Sequence, residues 1–166
     1  MLLFSVFQVA SAQKKSQTII LSDTLFIKGA IKNPKFYTLK DLDTLKSSSI
    51  PNQLIYNHNG EIKDSLKDIR GVKLIDLLKP IQFEYQKPRE LNEFFFVLTA
   101  TDGYRVVFSW NEIYNTELGN AYFVITECNG DRIQQMKNRI LFISTHDIKP
   151  SRRHIKSLKT IEVKRL

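Results

Sequence analysis

The chain has 166 residues, of which 42% are hydrophobic and 25% are charged, a composition typical of one globular domain rather than of a disordered chain. Twenty-five basic residues against 17 acidic ones give a formal net charge of +8, which favours an anionic partner. The single cysteine, Cys128, excludes an internal disulfide and a cysteine-based zinc site.

The first twelve residues are uncharged and mostly apolar, and Ala10-Ser11-Ala12 matches the small-x-small pattern that signal peptidase cleaves. We therefore predict a signal peptide over residues 1–12 and an exported, periplasmic protein. The alternative is a hydrophobic strand or helix of the mature fold. No transmembrane segment is expected, because a membrane-spanning helix needs about 20 apolar residues. Nucleic acid is not an expected partner, since an exported protein rarely meets it and no nucleic-acid-binding motif is present.

Two strands are predicted near the start of the mature chain, at Thr18–Leu21 and Leu25–Ile31, and Asn33-Pro34 ends the second. No repeat, linker or low-complexity segment divides the sequence. Residues 13–28 are therefore expected to form a lead-in that contains the first strand, and residues 29–166 a single domain.

Two short helices are predicted in the first half of the chain. The first begins at a capping box formed by Thr38 and Asp41, and Ser47-Ser48-Ser49 ends it. The second follows a turn at Gly71 and is stopped by Pro80. The leucines of both helices recur at helical spacing, which predicts one buried face for each.

A short strand and a hairpin are predicted around the middle of the sequence. Gln53–Tyr56 is the short strand, and a turn at Asn59-Gly60 follows it. Phe94–Ala100 is almost continuously apolar, which predicts a strand that is buried on both faces. The Asp102-Gly103 turn then reverses the chain into the strand Tyr104–Phe108.

A third short helix is predicted after this hairpin, because Ser109 and Glu112 have the spacing of a second capping box. Capping accounts for both residues without a catalytic role. Three further strands are predicted, at Ala121–Glu127, Ile140–Ser144 and Thr160–Val163. A turn at Asn129-Gly130 separates the first two. Strands and helices do not alternate regularly, so the pattern predicts a β-rich α+β domain rather than a parallel doubly wound sheet.

The sequence contains no nucleophile, phosphate-loop or dinucleotide-binding motif, and no catalytic residue is assigned. The three histidines, His58, His146 and His154, lack metal-binding spacing, so surface or hydrogen-bonding roles are favoured and no metal site is predicted. Positive charge is concentrated in residues 149–165. This segment suits a phosphate-bearing ligand, and a solvated basic tail is the alternative.

Five segments in a fixed order resemble the molybdopterin-binding domain of the sulfite oxidase superfamily: YTLKDL, RGVKLIDLL, TATDGYRVVFSWNEI, NG and SRRHIKSLKTIEV. The resemblance is greatest to small bacterial members and spans roughly Gly29–Leu166. It implies a β-rich mixed α+β fold with short helices. It also implies a molybdopterin cofactor whose molybdenum takes a cysteine thiolate from the protein. Oxygen-atom or electron transfer with an envelope redox partner would follow from such a cofactor.

The same resemblance implies a set of site residues. Asn57 stands where the family's thiolate is expected, and His58 beside it would face the metal region. Arg153 and Lys156 match the basic positions of the family's Arg-x-Val-Lys-x-Leu segment, which helps to hold the pterin phosphate. The Asp102-Gly103-Tyr104 turn is expected on the cofactor side of the domain, where Tyr104 and Asp102 shape the loop.

Two functions stay open at this point. The first is a molybdenum-dependent oxidoreductase with the molybdopterin-binding fold. The second is a non-catalytic binding module of the same fold, which binds another anionic small molecule or a partner protein, and the missing thiolate favours it. Adhesion to anionic surfaces through the basic tail is a third, weaker hypothesis.

Overall fold

The computed structural model describes residues 20–57 and 59–166. The predicted signal peptide and His58 lie outside these residues. Within the described part of the chain, strands dominate and the helices are short. No helix in this part is both long enough and apolar enough to cross a membrane.

The strands are β1 (Thr24–Gly29), β2 (Lys35–Thr38), β3 (Ser48–Ile50), β4 (Gln53–Tyr56), β5 (Ile62–Leu66), β6 (Ile69–Lys73), β7 (Phe94–Ala100), β8 (Arg105–Ser109), β9 (Tyr122–Cys128), β10 (Asp131–Arg132), β11 (Leu141–Ser144) and β12 (Leu158–Arg165). The α-helices are α1 (Leu39–Thr44), α2 (Leu74–Leu78) and α3 (Trp110–Tyr114). Three 3₁₀ helices cover Pro88–Glu93, Glu117–Ala121 and Pro150–Arg153.

Two sheets share one hydrophobic core. The first sheet has the strand order β2-β1-β12-β7-β8, in which β1 and β12 pair in parallel and the other neighbours are antiparallel. In the second sheet, antiparallel strands follow the order β10-β9-β6-β3, and β11 also pairs with β9. Strands β4 and β5 form a separate hairpin. The buried side chains of both sheets meet in the core, where the rings of Phe108 and Tyr122 lie 4.7 Å apart.

The predicted strand at the centre of the chain is confirmed, but its predicted burial is wrong. Along β7, buried Phe94, Phe96 and Leu98 alternate with half-buried Phe95 and Val97. The sequence is apolar throughout because the residues that alternate with the core positions are also mostly apolar, although they are only half-buried. One face of β7 therefore belongs to the core and the other to the surface.

Local sequence signals position the first two helices as predicted. At α1, the hydroxyl oxygen of Thr38 accepts a hydrogen bond from the amide of Asp41 at 3.2 Å, and the Asp41 carboxylate accepts one from the amide of Thr38 at 2.8 Å. In α2, the predicted core residues Leu74, Leu77 and Leu78 are all buried. Capping and helical spacing are thus sufficient to place both helices.

Several strands contradict or extend the predictions. Ile20 and Leu21 precede β1 and form no strand, whereas Ser48–Ile50 forms β3 instead of only ending α1. Gly71 lies inside β6 rather than in a turn. A β-carbon at this glycine would stand 2.8 Å from the carbonyl oxygen of Val124, so close approach of β9 is the reason for glycine here.

Replacing Gly71 by alanine is expected to lower the free energy of unfolding by about 1–3 kcal/mol, because the added methyl group must displace the β9 backbone. Urea unfolding measures the change. Ser49→Ala, at an exposed position on the neighbouring strand, is the matched control and should shift stability by less than about 0.5 kcal/mol. Equal stability of the two variants would contradict the close-packing explanation.

Candidate functional site

A cavity with a volume of about 340 Å³ lies where three segments of the chain meet. The β4–β5 hairpin provides one wall, the β7–β8 turn a second, and residues 151–156 a third. Its polar lining residues are Tyr56, Asn57, Lys63, Asp64, Asp102, Tyr104, Ser151, Arg152, His154 and Lys156. Four of the residues implied by the family resemblance, namely Asn57, Asp102, Tyr104 and Lys156, are therefore brought together.

The β7–β8 turn is joined to the third wall by a tyrosine. The Asp102 carboxylate accepts a hydrogen bond from the amide of Tyr104 at 2.9 Å, and Gly103 takes a positive φ of 85°. The turn is therefore built by the local chemistry of Asp and Gly. The hydroxyl group of Tyr104 then donates to the carbonyl oxygen of Arg152 at 2.5 Å. This bond connects two walls of the cavity that lie far apart in the sequence.

Asn57 lines the cavity, but the structure commits its side chain to the β4–β5 turn. Its amide oxygen accepts hydrogen bonds from the backbone amides of Asn59 and Glu61, at 2.9 and 3.0 Å. Its amide nitrogen donates to the Glu61 carboxylate at 2.7 Å. These bonds use both ends of the Asn57 side chain, so its clearest role is to hold the hairpin that presents Tyr56 and Lys63.

Lys156 is positioned by a firmly held backbone. Ile155 exchanges two backbone hydrogen bonds of 2.9 Å with Phe142 in β11. Ser157 is buried and takes a left-handed conformation with a φ of 52°. Its carbonyl oxygen accepts a hydrogen bond from the amide of Thr101, at 3.1 Å. The segment that carries Lys156 is thus fixed both to the second sheet and to the end of β7.

Three cations line the cavity without a carboxylate partner. Among the described residues, Lys63, Arg152 and Lys156 form no ion pair, whereas Arg132, Arg139, Arg153 and Arg165 all do. Two carboxylates, Asp64 and Asp102, share the lining, and each accepts a hydrogen bond from a backbone amide within its own segment. The lining therefore carries one more positive than negative charge, and its cations are available to a ligand.

Arg153, which the family resemblance implied as a phosphate contact, is not among the residues that line the cavity. Its guanidinium forms a bidentate pair with Asp147, with the Nε–Oδ2 distance at 2.7 Å, and a second pair with Glu112 at 2.5 Å. The guanidinium also lies over two aromatic rings, 4.8 Å from the centre of the Phe108 ring and 5.1 Å from the centre of the Tyr122 ring. We call these five residues the Arg153 network.

The Arg153 network is a charged cluster in a partly buried place. Hydrogen bonding to Asp147 is the main reason why the pKa of Arg153 lies above its ordinary value. Burial opposes ionisation of Asp147, but hydrogen bonds from Arg153 and Ser144 outweigh it and lower its pKa. Burial and a hydrogen bond to Glu112 raise the pKa of Tyr122. The predicted capping box at Glu112 is therefore only half formed, because its carboxylate joins the network.

His154 is a site residue that the sequence did not single out. It lines the cavity, and among the described residues its Nε2 atom is buried without a hydrogen-bond partner. Burial and the nearby ammonium group of Lys156 lower the pKa of His154 to about 4, so its imidazole is neutral at pH 7. The only available signal was its position inside the basic segment at residues 149–165.

The thiol of Cys128 lies outside the lining of the cavity. It is buried at the end of β9, and burial raises its pKa, so the group is a thiol rather than a thiolate at pH 7. Within residues 20–57 and 59–166, no three side chains of His, Cys, Asp or Glu converge as ligands for a metal ion. The cavity is thus a basic site whose hydrogen-bond donors are nitrogen and hydroxyl groups.

Comparison with known proteins gives a likeness in fold. No protein-family model matches the chain, and no curated protein is similar to it in sequence. Among solved structures, the sulfane dehydrogenase SoxCD from Paracoccus pantotrophus is similar with a TM-score of 0.59 and 14% sequence identity. The similarity covers 87% of this chain and 39% of that chain, so this chain spans well under half of its length. The predicted mixed α+β fold of the sulfite oxidase molybdopterin-binding type is confirmed.

Replacing Arg153 by methionine is expected to lower the free energy of unfolding by about 3 kcal/mol, because Asp147 and Glu112 lose the cation that compensates them. The control is Arg132→Met: the Arg132 side chain is 63% exposed, and its pair with Asp43 is expected to contribute at most about 1 kcal/mol. Urea unfolding of both variants tests this. Equal losses would show that the Arg153 network is energetically an ordinary surface pair.

Acid should destabilise the protein partly through His154. The pKa of this residue is about 4 in the folded state, below the value of about 6.5 that is typical of an unfolded chain. Between these values the unfolded chain takes up a proton that the folded protein does not. Stability therefore falls as the pH drops from about 6.5 to 4, by up to roughly 3 kcal/mol from this group.

The comparison of His154→Gln with the wild type isolates this contribution, because other acid-titrating groups are common to both proteins. The variant should lose less stability than the wild type when urea unfolding is repeated from pH 7 down to pH 4. Parallel pH profiles for wild type and His154→Gln would refute the assignment.

Proposed function

We propose that the chain is an exported binding module of the molybdopterin-binding type of fold, and that its cavity holds a phosphate-bearing organic anion such as a pterin phosphate. The observation that carries this proposal is a set of three cations around one cavity, Lys63, Arg152 and Lys156, which form no ion pair with any described residue. The proposal of export is based on the sequence of residues 1–12. The proposal of an anionic ligand is based on the charged residues that line the cavity.

The lining residues fit the chemistry of such a ligand. Lysine ammonium and arginine guanidinium groups bind phosphate through charge-assisted hydrogen bonds. The rings of Tyr56 and Tyr104 offer aromatic surface beside the cations, which suits a planar heterocycle. His154, as a neutral imidazole, adds a hydrogen-bonding ring without a further charge. Cations, aromatic rings and a neutral polar group together match an anionic ring compound better than a free inorganic ion.

The same residues do not fit the metal that the family resemblance implies. That metal takes a protein thiolate, but Asn57 stands at the expected position and its amide is committed to Glu61 and Asn59. Cys128 is a buried thiol elsewhere in the second sheet. The cavity therefore offers anchoring for the phosphate-bearing organic part of a molybdopterin and no thiolate ligand for molybdenum. This disagreement favours the binding module.

A molybdenum-dependent oxidoreductase is the second candidate, and the likeness in fold to a sulfane dehydrogenase favours it. An envelope redox partner belongs to this candidate alone. Metal and pterin analysis of protein purified from its native export route separates the two functions. Stoichiometric molybdenum with a fluorescent oxidised pterin would support the oxidoreductase. Folded protein that lacks molybdenum and still binds phosphate through the cavity cations would support the binding module.

Inorganic phosphate should bind to the purified protein, and Lys156→Gln should weaken that binding about tenfold, because one charge-assisted contact is lost. Lys63→Gln should have a similar effect, because Lys63 lines the same cavity from the β4–β5 hairpin. Isothermal titration calorimetry at fixed ionic strength measures both changes.

Lys159→Gln is the matched control, since it removes the same charge from an exposed position of β12 outside the cavity lining. It should change phosphate affinity by less than about twofold, as expected for an exposed charge that does not contact the ligand and is screened by salt. Equal weakening by Lys156→Gln and Lys159→Gln would mean that phosphate responds to net charge only, and the proposed site would then be rejected.

A further inference from the structure

A second lobe adjoins the cavity and has a volume of about 350 Å³. Tyr56, Asn57, Ser151 and Arg152 line both lobes, so the two are adjacent and share part of their lining. Ligand cavities in proteins typically measure about 300–1,000 Å³. Each lobe alone is close to the lower limit of that range, whereas the two together suit a larger, elongated molecule.

The cations are arranged in series along the two lobes. Lys63 and Lys156 line only the first lobe, Arg152 lines both, and Lys149 lines only the second. Among the described residues, Lys149 forms no ion pair, and no carboxylate lines the second lobe. Positive charge therefore continues past the site of the proposed phosphate instead of ending there.

The second lobe also has an apolar rim. Ile148 is 98% exposed, although a side chain of this kind is usually buried, and it lines the lobe together with Tyr56. An apolar part of a bound molecule would cover both side chains. Removing the apolar surface of Ile148 from water would be favourable, so covering it would contribute to the binding of such a molecule.

We infer that the two lobes form one groove for an elongated small molecule that carries two separated anionic groups. One group lies at Lys63 and Lys156, the other lies at Lys149, and Arg152 contacts the segment between them. This inference rests on the proposed function and extends it, because it specifies a ligand with two anionic ends rather than one phosphate.

Inorganic phosphate and tripolyphosphate, titrated into the full protein by calorimetry at one ionic strength, test the inference. Tripolyphosphate should bind at least tenfold more tightly than phosphate. Lys149→Gln should weaken tripolyphosphate binding about tenfold and phosphate binding less than twofold. Lys156→Gln should weaken both, since its lobe holds the anionic group that the two probes share.

Lys159→Gln again controls for net charge. If Lys149→Gln and Lys159→Gln change tripolyphosphate affinity equally, or if tripolyphosphate binds no more tightly than phosphate, the extended groove is refuted. The proposed function stands in that case as long as phosphate binding depends on Lys156. If neither anion binds to the wild-type protein, both the groove and the proposed function fail.

Discussion

Arg153 joins the two sheets through a charged network that also contains the rings of Phe108 and Tyr122. This network fixes the position of one cavity wall. Glu112 belongs to α3 beside the first sheet, and Tyr122 belongs to the second sheet. Asp147 precedes the Pro150–Arg153 helix and completes the network. A guanidinium that is paired with two carboxylates and lies against two aromatic rings has little freedom to move. The residues next to it, Arg152 and Ser151 on one side and His154 on the other, are therefore held at the cavity.

The direction of Arg153 also sets the character of the proposed binding site. Because this arginine is paired with Asp147 and Glu112, the site is left with exposed Arg152 and with two lysines, exposed Lys63 and half-buried Lys156. Such cations bind anions through flexible side chains in contact with water, so their attraction is reduced by salt. Specificity then has to come from fixed features of the lining, namely the Tyr104–Arg152 hydrogen bond and the half-buried imidazole of His154. A lining with fixed polar groups and flexible cationic side chains is consistent with the proposed reversible binding of a ligand.

Local signals in the sequence were enough for part of this architecture. The capping box at Thr38 and the apolar spacing of α2 depend on neighbouring residues, and both are confirmed. Gly71 was misassigned because its reason for being glycine is the backbone of β9, which is distant in the sequence. The same limit applies to the site. The basic segment could be located, but only tertiary pairing decides that Arg153 turns inward while Lys156 lines the cavity.

The parallel pairing of β1 with β12 has a consequence for the time course of folding. Phe26 lies opposite Thr160, and β12 is inserted between β1 and β7. Until residues 158–165 have left the ribosome, the β1–β2 and β7–β8 hairpins have no strand to connect them. Closure over such a long stretch of chain is entropically costly and slow. The first sheet therefore stays in two parts during synthesis until the strand that joins them is available.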